Sequence, residues 1–145
     1  VNRRRTSTSS GFNLIELMVV IAIIMILSTI AGVAYSESQL RAREVAAIQH
    51  LQTFEKAQAQ YYGVYRRYAA SFGELEKAVL IPEHLATGKL GGYLFELRAD
   101  TDSYVVSGRP TLFGKSGRRS FRVDEALVIR QTEEDREAAA KDPPI

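Results

Sequence analysis

Gly11-Phe12-Asn13-Leu14-Ile15-Glu16-Leu17-Met18-Val19-Val20 opens an apolar run that dominates the first third of the chain. From Leu17 to Leu27 every residue is apolar; Ser28 and Thr29 follow, then Ile30-Ala-Gly-Val-Ala34. Leu17 to Ala34 carries no charge, and as a helix it would rise about 27 Å, near the thickness of a bilayer's hydrocarbon core. A buried helix of a soluble domain can also be apolar all round, but the rest of a 145-residue chain is too small to cover one this long. The run is therefore expected to span a membrane.

The residues before the run are ordered unusually. Arg3, Arg4 and Arg5 come first, then the polar Thr6-Ser-Thr-Ser-Ser10, then Gly11. The arginines favour a cytoplasmic N-terminus, although Arg41 and Arg43 on the far side leave only a mild bias. An ordinary secretory signal places its small-residue cleavage site after the apolar stretch. Here the small residue, Gly11, stands before it, so a cut there would leave the apolar helix on the mature chain. Glu16 is the one charge inside the opening stretch. A carboxylate at the centre of a membrane helix costs about 2.5–3.5 kcal/mol, less near the edge, so Glu16 needs a partner, a proton or a headgroup.

A glycine, then an aromatic, then a lone glutamate five residues after the glycine resembles the cleavage and methylation motif of type IV prepilins and type II secretion pseudopilins. The resemblance implies cleavage between Gly11 and Phe12 by a membrane prepilin peptidase, and N-methylation of the new terminus at Phe12. It implies that Glu16 acts in assembly by meeting the freed amine of Phe12, its own or a neighbouring subunit's, which would set subunit register. The chain would begin as a single-pass inner-membrane precursor with a cytoplasmic N-terminus and a periplasmic head, then enter a pilus or pseudopilus. Its implied partners are identical or homologous subunits, the peptidase and methyltransferase, the inner membrane and an assembly platform. One departure is the lack of a proline in the apolar half, which many major pilins carry; Gly32 is a weaker candidate for local melting.

The helical pattern continues beyond Tyr35. Leu40, Glu44, Ala47, Leu51, Phe54, Gln58, Tyr61 and Tyr65 recur at spacings of four and three, an amphipathic stripe with no proline between Phe12 and Tyr65. One helix over that span would be about 80 Å long. The frequent tyrosines are read as packing rings.

Past the helix, Ser71-Phe-Gly-Glu74 fits a capping box, with a short helix from Phe72 to Leu80 ending before Pro82. Gly88, Gly91 and Gly92 mark a loop. Strands are expected at Tyr93–Arg98, Ser103–Ser107, Ser120–Asp124 and Ala126–Arg130, with turns at Asp100–Asp102 and Gly114–Gly117. Asp100, Asp102 and Asp124 read as turn residues rather than calcium ligands. The expected fold is α+β: a long N-terminal α-helix whose first half spans the membrane, and a three- to four-stranded antiparallel sheet packed on its amphipathic second half. The order of helix, loop and sheet is again similar to pilins and pseudopilins. The parts are a leader (1–11), a membrane or fibre-core half-helix (12–35), an amphipathic half-helix (36–66), an extracytoplasmic head (67–131) and a charged tail expected to be frayed or disordered (132–145).

Composition narrows the function. There is no cysteine, which removes disulfides, thiolate metal sites and cysteine nucleophiles. His50 and His84 are far apart in sequence, and no metal or other cofactor is expected. The net charge of +2 comes from 19 basic and 17 acidic residues; removing Arg3, Arg4 and Arg5 leaves 16 against 17. A near-neutral mature chain gives no steering toward nucleic acid, though a patch of Arg66, Arg67, Arg118 and Arg119 would reopen that question. No nucleophile elbow or phosphate loop is present, so an enzyme is not expected. The leading expectation is a structural subunit of a type IV pilus-like filament. The alternatives are a pseudopilin of type II secretion and a membrane-anchored binding module that does not polymerise.

Overall fold

The computed structural model describes residues 11–145, with the side chains of 30–34 outside the description. The leader residues 1–10, including Arg3 to Arg5, also lie outside it. The chain divides into two units, the first ending at Glu37 and the second running from Ser38 to Ile145.

Helix α1 covers Leu14–Tyr65, 52 residues. It ends where Arg66 turns to a positive φ of 54° while its amide still bonds Tyr62 O at 2.9 Å. In the second unit the amphipathic stripe faces the core: Glu44, Ala47, Leu51, Phe54, Gln58 and Tyr61 are all buried, whereas Tyr65 at the end is exposed. Phe54 stacks on Phe72 with centroids 4.4 Å apart and lies 5.6 Å from the Phe95 ring. Gln58 is the polar member at the centre of this stripe. Its amide donates to Ala69 O at 3.0 Å and accepts from Ala69 N at 2.9 Å, so both ends are satisfied and the segment after α1 is tied back onto it.

Helix α2, Phe72–Lys77, has the expected serine cap: Ser71 Oγ accepts from Glu74 N at 3.3 Å. The return contact differs from a simple capping box. Glu74 accepts from the Ala70 amide at 3.2 Å, and also from Arg67 at 3.0 Å and Tyr61 Oη at 3.1 Å. The helix stops short of the expected Leu80. Val79 adopts φ of 58°, and Leu80 N bonds Leu75 O at 2.9 Å while Val79 N bonds Glu76 O at 2.8 Å. These paired bonds close a Schellman motif, and they end the helix before proline can. A further short helix, α3 (Glu83–Ala86), starts at Pro82.

The sheet has five strands in the order β1-β2-β3-β4-β5, each neighbour antiparallel, rather than three or four. They are β1 (Lys89–Leu90), β2 (Tyr93–Ala99), β3 (Tyr104–Pro110), β4 (Ser120–Asp124) and β5 (Arg130–Thr132). The β2–β3 hairpin turns at the expected aspartates, with Asp100 N bonding Ser103 O at 2.8 Å. The strand expected at Ala126–Arg130 is displaced. Asp124 draws the chain into a turn, its carboxylate accepting from Ala126 N at 3.2 Å and its carbonyl from Leu127 N at 2.9 Å. Pairing resumes only at Arg130.

The segment 132–145, expected to fray, is folded onto the sheet edge. Ile145 N bonds Ile129 O at 3.1 Å and Gln131 N bonds Pro143 O at 3.0 Å. Arg136 grips Asp142 with both terminal nitrogens at 2.8 Å, and Ala139 N adds a bond at 2.7 Å. The charges that suggested solvation are thus used to staple the tail; Ala138 and Asp142 are buried.

Candidate assembly segment

Gly11, Phe12 and Asn13 precede α1 without regular structure. The Asn13 carbonyl accepts from Glu16 N at 3.0 Å and from Leu17 N at 3.2 Å, which places Asn13 at the helix N-cap. Glu16 therefore lies in the first turn, where the helix dipole favours a negative charge. A Cβ built on Gly11 would meet nothing within 4 Å, so packing in the folded chain does not demand glycine there. Phe12 is 80% exposed, and exposure continues through Leu17 at 58% to Leu27 at 60%. A continuous apolar helix surface left open in this way marks a site for lipid or another protein.

The two hydroxyls within the run satisfy themselves. Ser28 Oγ donates to Ile24 O and Thr29 Oγ1 to Ile26 O, both at 2.7 Å. This back-bonding leaves no hydroxyl proton seeking water, as an apolar medium requires. Among the described residues, no helix is long and apolar enough to cross a membrane. The described uncharged side chains, Leu17 to Thr29, account for roughly 20 Å of rise, short of the ~30 Å hydrocarbon core. The remainder of the expected span, including Gly32, falls on residues 30–34, whose side chains lie outside the description.

In the second unit the polar features are engaged in holding the head together. Glu44 is buried on α1, and its carboxylate accepts from Arg118 N and Arg119 Nε at 2.8 Å each and pairs with Arg119 Nη2 at 2.6 Å. Of the four arginines that would form a basic patch, Arg119 is committed to Glu44 and Arg67 pairs with Glu74 at 3.0 Å. Tyr93 Oη donates to Arg119 O at 2.9 Å, and its burial pushes its proton affinity up. The fold brings His50 within electrostatic reach of His84, which the sequence separation had hidden; burial first, then the His84 charge, lowers the His50 pKa. No grouping of three or more metal-ligating acids, histidines or cysteines occurs among the described residues. A cleft of about 510 Å³ in the second unit is lined by residues such as Gln52, Glu55, Lys56 and Ile145.

Asn13 and Glu44 were not singled out as functional or structural anchors from sequence. Glu44 had a signal, an acid on the apolar stripe; Asn13 had one too, a cap-forming side chain just before the apolar run.

Residues 6–32 match the family of the prokaryotic N-terminal methylation motif, the signature of type IV pilins and pseudopilins. This class consists of membrane-anchored precursors that are processed and later assembled, and the motif points to a structural pilin-type protein rather than an enzyme. A comparison with curated proteins returned no match to the chain.

Proposed function

We propose that the chain is a structural subunit of a type IV pilus-like filament. Its apolar half-helix, completed by residues 30–34, spans the inner membrane before assembly. Prepilin peptidase cuts between Gly11 and Phe12, and Phe12 is N-methylated. The observation that carries this reading is the exposed apolar first part of α1 with a lone carboxylate in its first turn, within the matched stretch 6–32.

The chemistry follows from that placement. Cleavage frees an amine at Phe12, close in sequence to the one acid of the segment. Inside a bundle of apolar helices the dielectric is low, so an unpaired charge is costly and a matched pair is favoured. A neighbouring subunit whose Phe12 amine meets Glu16 is accepted, and registers that strand either charge are rejected. The apolar side chains supply attraction without direction, and the charge pair supplies register.

Two measurements on the chain in its native host test this. Mass spectrometry of the mature protein should find a methylated Phe12 at its start. Glu16→Ala should leave processing intact and reduce filament yield at least tenfold. A mature chain starting elsewhere removes the processing step, and normal filament yield from Glu16→Ala removes the role of the carboxylate.

A further inference from the structure

The loop joining β3 to β4 is tightly built for its length. Lys115 N and Ser116 N bond Leu112 O at 3.0 and 2.8 Å, and Gly114 N bonds Gly117 O at 2.8 Å, with Gly114 at φ of 79°. Thr111 Oγ1 donates to Gly92 O at 2.9 Å and lies 3.0 Å from Ser116 Oγ. This frame holds two apolar side chains out to solvent, Leu112 at 61% and Phe113 at 38% exposure. Lys115 is exposed beside them.

The loop sits at the end of the second unit where α1 enters it. Arg43, six residues into that unit's helix, donates to Lys115 O at 3.2 Å, and Arg41 is exposed close by in sequence. The acid among them, Glu44, is buried and paired with Arg119. Glu37, a turn before Arg41, is itself engaged. The exposed side chains named at this end, Arg41, Arg43, Leu112, Phe113 and Lys115, are apolar and cationic together, with Glu37 partly buried and near Arg41 in sequence. Singly exposed leucines are ordinary on protein surfaces. Two adjacent apolar side chains on a hydrogen-bonded turn, flanked by Lys115 and Arg43, have the chemistry that binds an anionic lipid surface. Rings and aliphatic chains enter the interface, and ammonium and guanidinium groups meet phosphate.

We propose that the loop Thr111–Gly117, with Arg41 and Arg43, docks the head onto the anionic membrane surface while the subunit awaits assembly. This rests on the reading of the apolar half-helix as the membrane anchor. Docking holds the head at a fixed height, and leaving the membrane for a filament breaks these lipid contacts.

The absence of cysteine allows single labels to be placed by Leu112→Cys, Asp102→Cys and Ile21→Cys in the full chain. Each carries a polarity-sensitive fluorophore in vesicles of phosphatidylglycerol and phosphatidylethanolamine, or of phosphatidylcholine alone, with nitroxide quenchers placed shallow or deep. The expected result is deep quenching at 21, shallow quenching at 112 only with anionic lipid, and no quenching at 102. Lys115→Glu should lower the docked fraction at 112 by roughly fivefold or more, the weight of a basic residue at such a surface. If 21 is quenched but 112 is as aqueous as 102, the docking proposal fails and the anchor stands. If 21 is not quenched, both fail. Shielding at 112 that ignores lipid charge but rises with protein density assigns the loop to a second copy of the chain and overturns the lipid assignment.

Discussion

Val79 is the residue just past the α2 cap, with φ of 58° and 89% of its surface exposed. A β-branched side chain in the left-handed region is crowded against its own backbone. The cost is accepted because the turn lets Leu80 bond back to Leu75 and join the core. Glycine is the usual residue there, since it lacks the Cβ that creates the strain. Val79→Gly is thus expected to raise the stability of the head by about 1 kcal/mol, part of the relief being lost to the greater freedom of glycine in the unfolded chain. A urea melt followed by tyrosine fluorescence checks it. A lower midpoint would show that the exposed valine contributes packing that its surface does not reveal. The contrast with Gly117 is instructive. A Cβ there would fall 2.0 Å from Tyr93 Oη, so glycine is required by a neighbouring ring rather than by its own torsion.

Among the elements, the folded tail has the clearest acid dependence. Arg136 and the Ala139 amide hold the Asp142 carboxyl well below the usual aspartate range. A depressed folded value means the unfolded chain binds the proton more readily. The contribution is therefore complete above about pH 5 and fades as pH falls through about 4 toward the lower folded value. The Gln131 and Ile145 amide signals in a nuclear magnetic resonance titration should report detachment in that acid range. Asp142→Asn should loosen the tail at neutral pH and remove the acid step; an unchanged step would assign it to another carboxylate. This tail shows where sequence reading ran out. Its fastening joins Arg136 to Asp142 and the chain end to Ile129, and neither apolar periodicity nor composition encodes such contacts. The second half of α1 and strand β2 were legible because their burial repeats with the period of the backbone, and β3 and β4 because short apolar and aromatic runs stand between turn residues. Two-residue β1 is too short to show a period, and the apolar Ala126–Ile129 looked like a strand because the Asp124 turn leaves no mark on hydropathy. The methylation motif matched at residues 6–32 was the most legible part, since its features lie within a few consecutive residues. The Glu44–Arg119 pair spans 75 residues and was not.

At the scale of the whole molecule, the matched stretch 6–32 falls within the unit that ends at Glu37, and the hydrophobic core falls within Ser38–Ile145. The two carry different tasks: one leaves its apolar side chains open to its surroundings, and the other buries its own. Processing should then be separable from folding of the head. Phe54 tests the separation because it sits in α1, yet packs wholly in the head against Phe72 and Phe95. Phe54→Ala should cost about 3–5 kcal/mol, a large share of the 5–15 kcal/mol typical of a domain. The variant head should become sensitive to limited proteolysis. Cleavage at Gly11 should proceed all the same, giving a mature chain whose mass differs from the parent's only by the substitution. Filaments should be lost, because subunits with unfolded heads are degraded or cannot pack. If cleavage failed along with the head, the peptidase would be reading the folded head as well as the linear motif, and the division of labour between the units would not hold.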